Sequence, residues 1–213
     1  MRVLAIVLAL ASMTGSPVAA EDVPISGRYF RVEDPLPGKN DNQRTLRVTA
    51  RDRLGRDLTG DPRVTGVTVE VFASGDASSA NQVFVVPAGS YQDPNGPGWS
   101  GRPARCKKGR CRTRFGYSDA RGENGPITRL RLDSYTGRWT RLVLRAESQG
   151  NNATIEVVPP NPGARAGVIV SIPDGSRVCT LFDVASGSSV SENTAEKFWI
   201  GGGSTLACPA PGS

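Results

Sequence analysis

The chain has 213 residues, with 26 Lys and Arg against 20 Asp and Glu, giving a formal net charge of +6. It contains no histidine, which excludes Ser-His-Asp and Cys-His catalysis and any His-ligated zinc, copper or haem site. Its 25 glycines and 16 prolines favour turns and short strands over long helices.

Residues 1–20 read MRVLAIVLALASMTGSPVAA. Arg2 precedes an apolar run, Val3 to Ala11, and Val18-Ala19-Ala20 supplies small residues ahead of acidic Glu21-Asp22. That is the layout of a secretory signal peptide cleaved before Glu21. The run is far short of the ~20 apolar residues that cross a bilayer, and no other stretch approaches that length, so no transmembrane segment is expected. A mature unit of residues 21–213 is expected as one domain, secreted or periplasmic.

Short segments with period-two alternation follow, separated by Gly, Pro, Asn and Asp. Arg28–Glu33, Thr45–Ala50, Gly66–Phe72 and Gln82–Val86 read as strands. Thr113–Tyr117, Ile127–Leu132, Trp139–Leu144, Thr154–Val158, Gly167–Ile172 and Arg177–Phe182 continue the series, with Phe198–Ile200 as a short last strand. Asp174-Gly175 and Thr136-Gly137 lie between apolar runs and read as hairpin turns. Ala73–Asn81, Tyr91–Ala104 and Ala185–Lys197 read as polar or Pro/Gly-rich loops, and Pro159–Ala166 as a long turn. The arithmetic predicts an all-β fold: an antiparallel two-sheet β-sandwich of about ten strands.

The four cysteines, Cys106, Cys111, Cys179 and Cys208, allow three pairings. Spacing favours Cys106–Cys111, across a tight Lys-Lys-Gly-Arg turn, and Cys179–Cys208, which pins the C-terminal tail. The rival is a Cys₄ zinc site, which ordinarily needs two close pairs where this chain has one. No metal site is expected.

Charge is densest in RPARCKKGRCRTR, residues 102–114. Arg102, Arg105, Lys107, Lys108, Arg110, Arg112 and Arg114 give it seven positive charges and no negative one. Without Arg2 the mature chain carries +5, so its remaining residues sum to −2. The sequence therefore reads as a near-neutral body with one cationic, disulfide-held hairpin. Such a hairpin suits phosphate, sulfate or carboxylate groups of an anionic polysaccharide, lipopolysaccharide or extracellular nucleic acid. The plainer reading is a solvated loop whose charge serves solubility. Arg129, Arg131, Arg138, Arg141 and Arg145 could add a cationic ladder, with some pairing to Asp133, Glu147 or Glu156.

Three tryptophans complete the candidates. Trp99, in a Gly-Pro loop, is expected to be exposed and could serve a carbohydrate-binding module as a stacking platform. Trp139 is expected in the core and Trp199 over a core edge. A glycan-active enzyme, a further alternative, would need two carboxylates at a set separation. No carboxylate motif, G-x-S-x-G, Gly-rich phosphate loop or calcium loop is present, so no catalytic residue and no cofactor are assigned.

Asp61-Pro62 with Thr65-Gly66-Val67-Thr68-Val69, then Val178-Cys179-Thr180-Leu181-Phe182, then Ala207-Cys208-Pro209, resemble a recurring secreted bacterial β-domain. That domain occurs alone or appended to larger exported proteins in some Gram-negative lineages. The resemblance spans roughly residues 28–209. It implies one all-β unit with the two late cysteines paired, and it brings no catalytic residue. The Cys106–Cys111 pair lies outside its pattern. The sequence thus points to a non-enzymatic binding or structural module, with anion binding at 102–114 its most specific expectation.

Overall fold

The computed structural model describes residues 20–39, 43–75, 78–91, 96–148, 154–157, 163–203 and 207–210. The expected signal peptide therefore lies outside them, apart from Ala20. Alternating valine, leucine and phenylalanine produce strands with one dry and one wet face. The strands in chain order are β1 (Glu21–Pro24), β2 (Gly27–Glu33), β3 (Thr45–Asp52), β4 (Val67–Gly75) and β5 (Ser78–Val86). Then come β6 (Gly98–Lys107), β7 (Arg110–Ser118), β8 (Ile127–Tyr135), β9 (Trp139–Glu147), β10 (Arg165–Ser171) and β11 (Ser176–Asp183). Last are β12 (Ser189–Asn193) and β13 (Lys197–Gly201). One helical turn, α1 (Pro62–Thr65), precedes β4.

A five-stranded sheet has the order β1-β11-β10-β4-β5, and an eight-stranded sheet the order β12-β13-β2-β3-β9-β8-β7-β6. All pairings are antiparallel except β1 with β11, where Glu21 lies beside Ser176 and Pro24 beside Cys179. A single core cluster joins both sheets through residues such as Phe30, Leu46, Leu132 and Leu144 on one side and Val69, Val168, Val178 and Phe182 on the other. The Phe30 and Phe182 rings meet across the sheets at 6.2 Å. A Cβ on Gly27 would stand 2.4 Å from the Phe182 ring, so this crossing requires glycine.

Both expected disulfides are present, with Cα–Cα separations of 3.9 Å for Cys106–Cys111 and 5.6 Å for Cys179–Cys208. The Asp174-Gly175 and Thr136-Gly137 hairpins also form, with Asp174 at φ 54° and Gly137 at φ 70°.

Several expected loops are strands. Ala73–Asn81 belongs largely to the β4–β5 hairpin, where Ala73 faces Ala80 and Ser74 faces Ser79. Part of Ala185–Lys197 forms β12. The Pro/Gly-rich Tyr91–Ala104 contains the start of β6, and the edge position explains how. Pro103 falls in a bulge between Arg102 and Arg105, where the missing N–H breaks no ladder bond.

Conversely, the strand expected at Thr154–Val158 is absent from its described part, 154–157. Ile155 and Val157 are buried, but side chains serve this backbone in place of a partner strand. Gln82 donates to the Thr154 carbonyl at 2.7 Å and accepts from Glu156 N–H at 2.8 Å. Ser148 Oγ accepts from Ile155 N–H at 3.1 Å. The segment is thereby tied to the Gln82 side chain of β5, an edge strand.

Candidate site: a cationic sheet face

In the eight-stranded sheet the inward residues are mostly apolar, and arginine is the commonest outward residue. The hairpin of β6 and β7 places Arg102 opposite Arg114, Arg105 opposite Arg112 and Lys107 opposite Arg110. Cys106–Cys111 closes its tip on the other face. All seven basic residues of 102–114 are exposed, and Lys108 occupies the turn at φ 52°. The sequence-predicted set is therefore brought together.

The fold then extends this set across four more strands. Arg114 lies beside Asp133 of β8, Asp133 beside Arg141 of β9, and Arg141 beside Arg51 of β3. With Arg102 this makes one cross-strand row of four arginines and one aspartate. A second row runs Arg129, Arg145, Arg47 and Arg31, on β8, β9, β3 and β2, and ends against Trp199 of β13. Between the rows lie Gly116, Arg131, Val143 and Thr49. On strands β2, β3 and β6–β9 the outward acidic residues are only Glu33, Asp133 and Glu147.

Asp133 organises this face. Its side chain is 1% exposed although it points outward, because three arginine side chains fold over it. Arg131 Nε donates to Oδ2 at 2.6 Å, Arg141 Nε donates to the same atom at 3.2 Å, and Arg114 Nε stands 3.6 Å from Oδ1. One carboxylate thus holds three guanidinium groups, and the cluster keeps an excess of two positive charges. Without Asp133, neighbouring arginines on adjacent strands would repel. Glu147 and Glu156, the other partners expected for the arginine ladder, have no ion pair among the described residues.

Aromatic rings also orient cations. Arg51 and Arg141 each place Cζ 5.8 Å from the Trp139 ring centroid. Arg31 at 6.0 Å and Lys197 at 5.5 Å flank Trp199. Arg138 stands 5.0 Å over Tyr135. Open depressions cover the face. One of about 560 Å³ is lined by Ser100, Gly101, Arg102, Arg105, Arg112 and Arg114. Another of about 170 Å³ lies between Arg51, Arg114, Trp139 and Arg141.

The three tryptophans depart from expectation. Trp99 is 1% exposed, so it is no exposed stacking platform. It packs on Tyr117 at 5.4 Å, and its Nε1 donates to the Pro87 carbonyl at 2.8 Å. Inward residues of β6 alternate from Trp99, and the Gly-Pro neighbourhood hid that phase. Trp139, expected in the core, is half-buried on the outer face, because Thr140, Leu142 and Leu144 take the inward positions of β9. Trp199 is exposed, with Phe198 and Ile200 buried instead.

Near this face, Tyr117 and Asp119 form a buried loop anchor. Asp119 accepts from the N–H groups of Glu123 at 3.0 Å and Asn124 at 2.9 Å, and from Tyr117 Oη at 3.2 Å. Burial is the main cause that pushes the Tyr117 phenol up to about 12. The edge strand β6 is braced by α1. Asp61 accepts from the Arg63 guanidinium, and Arg63 also donates to the Gly101 carbonyl at 3.3 Å. That side-chain bond holds the Asp61 carboxyl below the usual carboxylate range.

No family model, curated protein or solved structure matches the chain. The arginines that sequence reasoning missed are Arg31, Arg47 and Arg51. Their signal was the phase of the alternation in GRYFRVE and TLRVTARD, where arginine occupies the positions between buried residues.

Proposed function

We propose that this protein is an exported, non-enzymatic binding module for anionic polymers, and that its cationic sheet face is the binding surface. The carrying observation is the placement of thirteen basic side chains on one face of strands β2, β3 and β6–β9 against three carboxylates. That local excess exceeds the net +6 of the whole chain. Long-range attraction from such a face concentrates polyanions, and arginine forks pair with phosphate, sulfate or carboxylate in bidentate fashion. Export is supported by the layout of residues 1–20 and by two disulfides.

A heparin column tests the reading with two variants. One replaces Arg105, Lys107, Lys108 and Arg110 with Ser, and the other replaces Arg47 and Arg145. Both should elute at lower salt than the parent protein. Unchanged elution of both would remove the proposal.

A further inference from the structure

We infer that the polymer this face takes is a nucleic-acid duplex, held by its two phosphate strands on the two arginine rows. This inference rests on the anionic-polymer assignment above and narrows it.

The first observation is the spacing of the rows. Arg141 and Arg145 of β9 belong to different rows, as do Arg51 and Arg47 of β3. Each pair is separated by four residues of strand, or about 13 Å at about 3.3 Å per residue. Within a row, neighbours are about 4.8 Å apart, the distance between strands. The strip between the rows carries mostly small side chains. It contains Gly116, Val143 and Thr49, with Arg131 held on Asp133 as Arg114 and Arg141 of the first row are. Two phosphate ridges flanking a B-form minor groove about 6 Å wide lie about 12 Å apart between centres, once a phosphate radius is added on each side. The rows match that distance, and the strip gives the ridges clearance. A polymer with one line of charge would use only one row.

The second observation concerns the aromatic rings. Proteins that hold single strands do so largely by stacking bases on aromatic side chains. Here Arg51 and Arg141 stand over Trp139, while Arg31 and Lys197 flank Trp199. Each ring is already partnered by two cations. The face therefore reads backbone charge and its geometry, which is sequence-independent binding.

The experiment measures fluorescence anisotropy of labelled probes with the full mature chain, comparing the probes at one salt concentration and repeating the duplex titration over a salt series. The probes are a 20-base-pair DNA duplex, one of its strands alone, heparin, and vesicles rich in anionic lipid. The duplex should bind at least tenfold more tightly than the single strand. Halving one row by Arg47→Ser with Arg145→Ser, or the other by Arg51→Ser with Arg102→Ser, should lower the salt slope of duplex binding by about 2. Equal or tighter binding of the single strand, heparin or vesicles would overturn the duplex assignment and leave the anionic-polymer reading standing. Failure to bind any of the four would overturn both. The comparison among probes uses the parent protein, so it holds even where a variant folds poorly.

Discussion

Arg141 lies directly opposite Asp133 across the β8–β9 pair, and its guanidinium hydrogen-bonds the Asp133 carboxylate on the outer face of the sheet. A buried carboxylate on the solvent side of a sheet is costly unless charge surrounds it. Here the arginines bury it, and it in turn lets them stand together.

Asp133→Asn should therefore destabilise the protein by about 1–3 kcal/mol. That is less than the ~3–5 kcal/mol of a fully buried broken pair, since the three arginines are 28% to 51% exposed. Added sulfate should recover part of the loss by pairing with the arginines left without their counter-charge. Thermal melts with and without sulfate check this. A variant as stable as the parent protein would show that the arginines rearrange without cost.

The tryptophans should separate by role. Trp99→Ala empties a buried site and should cost about 3–5 kcal/mol with little effect on ligand affinity per folded molecule. Trp139→Ala should cost much less stability and weaken polyanion binding a few-fold, because two arginines lose the ring that orients them. Denaturation midpoints and binding isotherms on both variants make the comparison.

The disulfides should differ in the same way. Cys179–Cys208 closes a long loop and ties the tail to the five-stranded sheet, so replacing both cysteines with Ser should cost about 3.5 kcal/mol on the loop-entropy account. Cys106–Cys111 closes a short loop at an exposed tip, and its removal should cost about 2 kcal/mol at most. Denaturant titration of the two double variants gives the order.

Tyr117 should ionise late. A phenol whose folded value is raised from 10.0 to about 12 contributes stability that is fully present below pH 10 and is lost as pH climbs from 10 toward 12. Absorbance at about 295 nm should show a tyrosine step near pH 12 that Tyr117→Phe removes. A parent titration lacking that step would contradict the buried placement.

Strand positions were legible wherever apolar residues alternated without interruption, as in β4, β8 and β9. They were illegible where a strand was polar and at an edge, as in β6 and β12, because an edge strand needs fewer buried residues to hold it. The reverse error, at 154–157, arose because buried apolar residues do not require a partner strand when side chains satisfy the backbone.

The sequence by itself determined the all-β class, both disulfides and the cationic hairpin, since alternation, cysteine spacing and charge runs are local properties. It also showed a body that sums to a slightly negative charge outside that hairpin. Only the tertiary structure decided where those charges stand. A strand sends alternate residues to opposite faces, so the pairing of β7, β8, β9, β3 and β2 stacked arginines far apart in the chain into continuous rows. The same pairing put Asp133 beneath them. The basicity read along the chain as one hairpin is, in space, the edge of a cationic face.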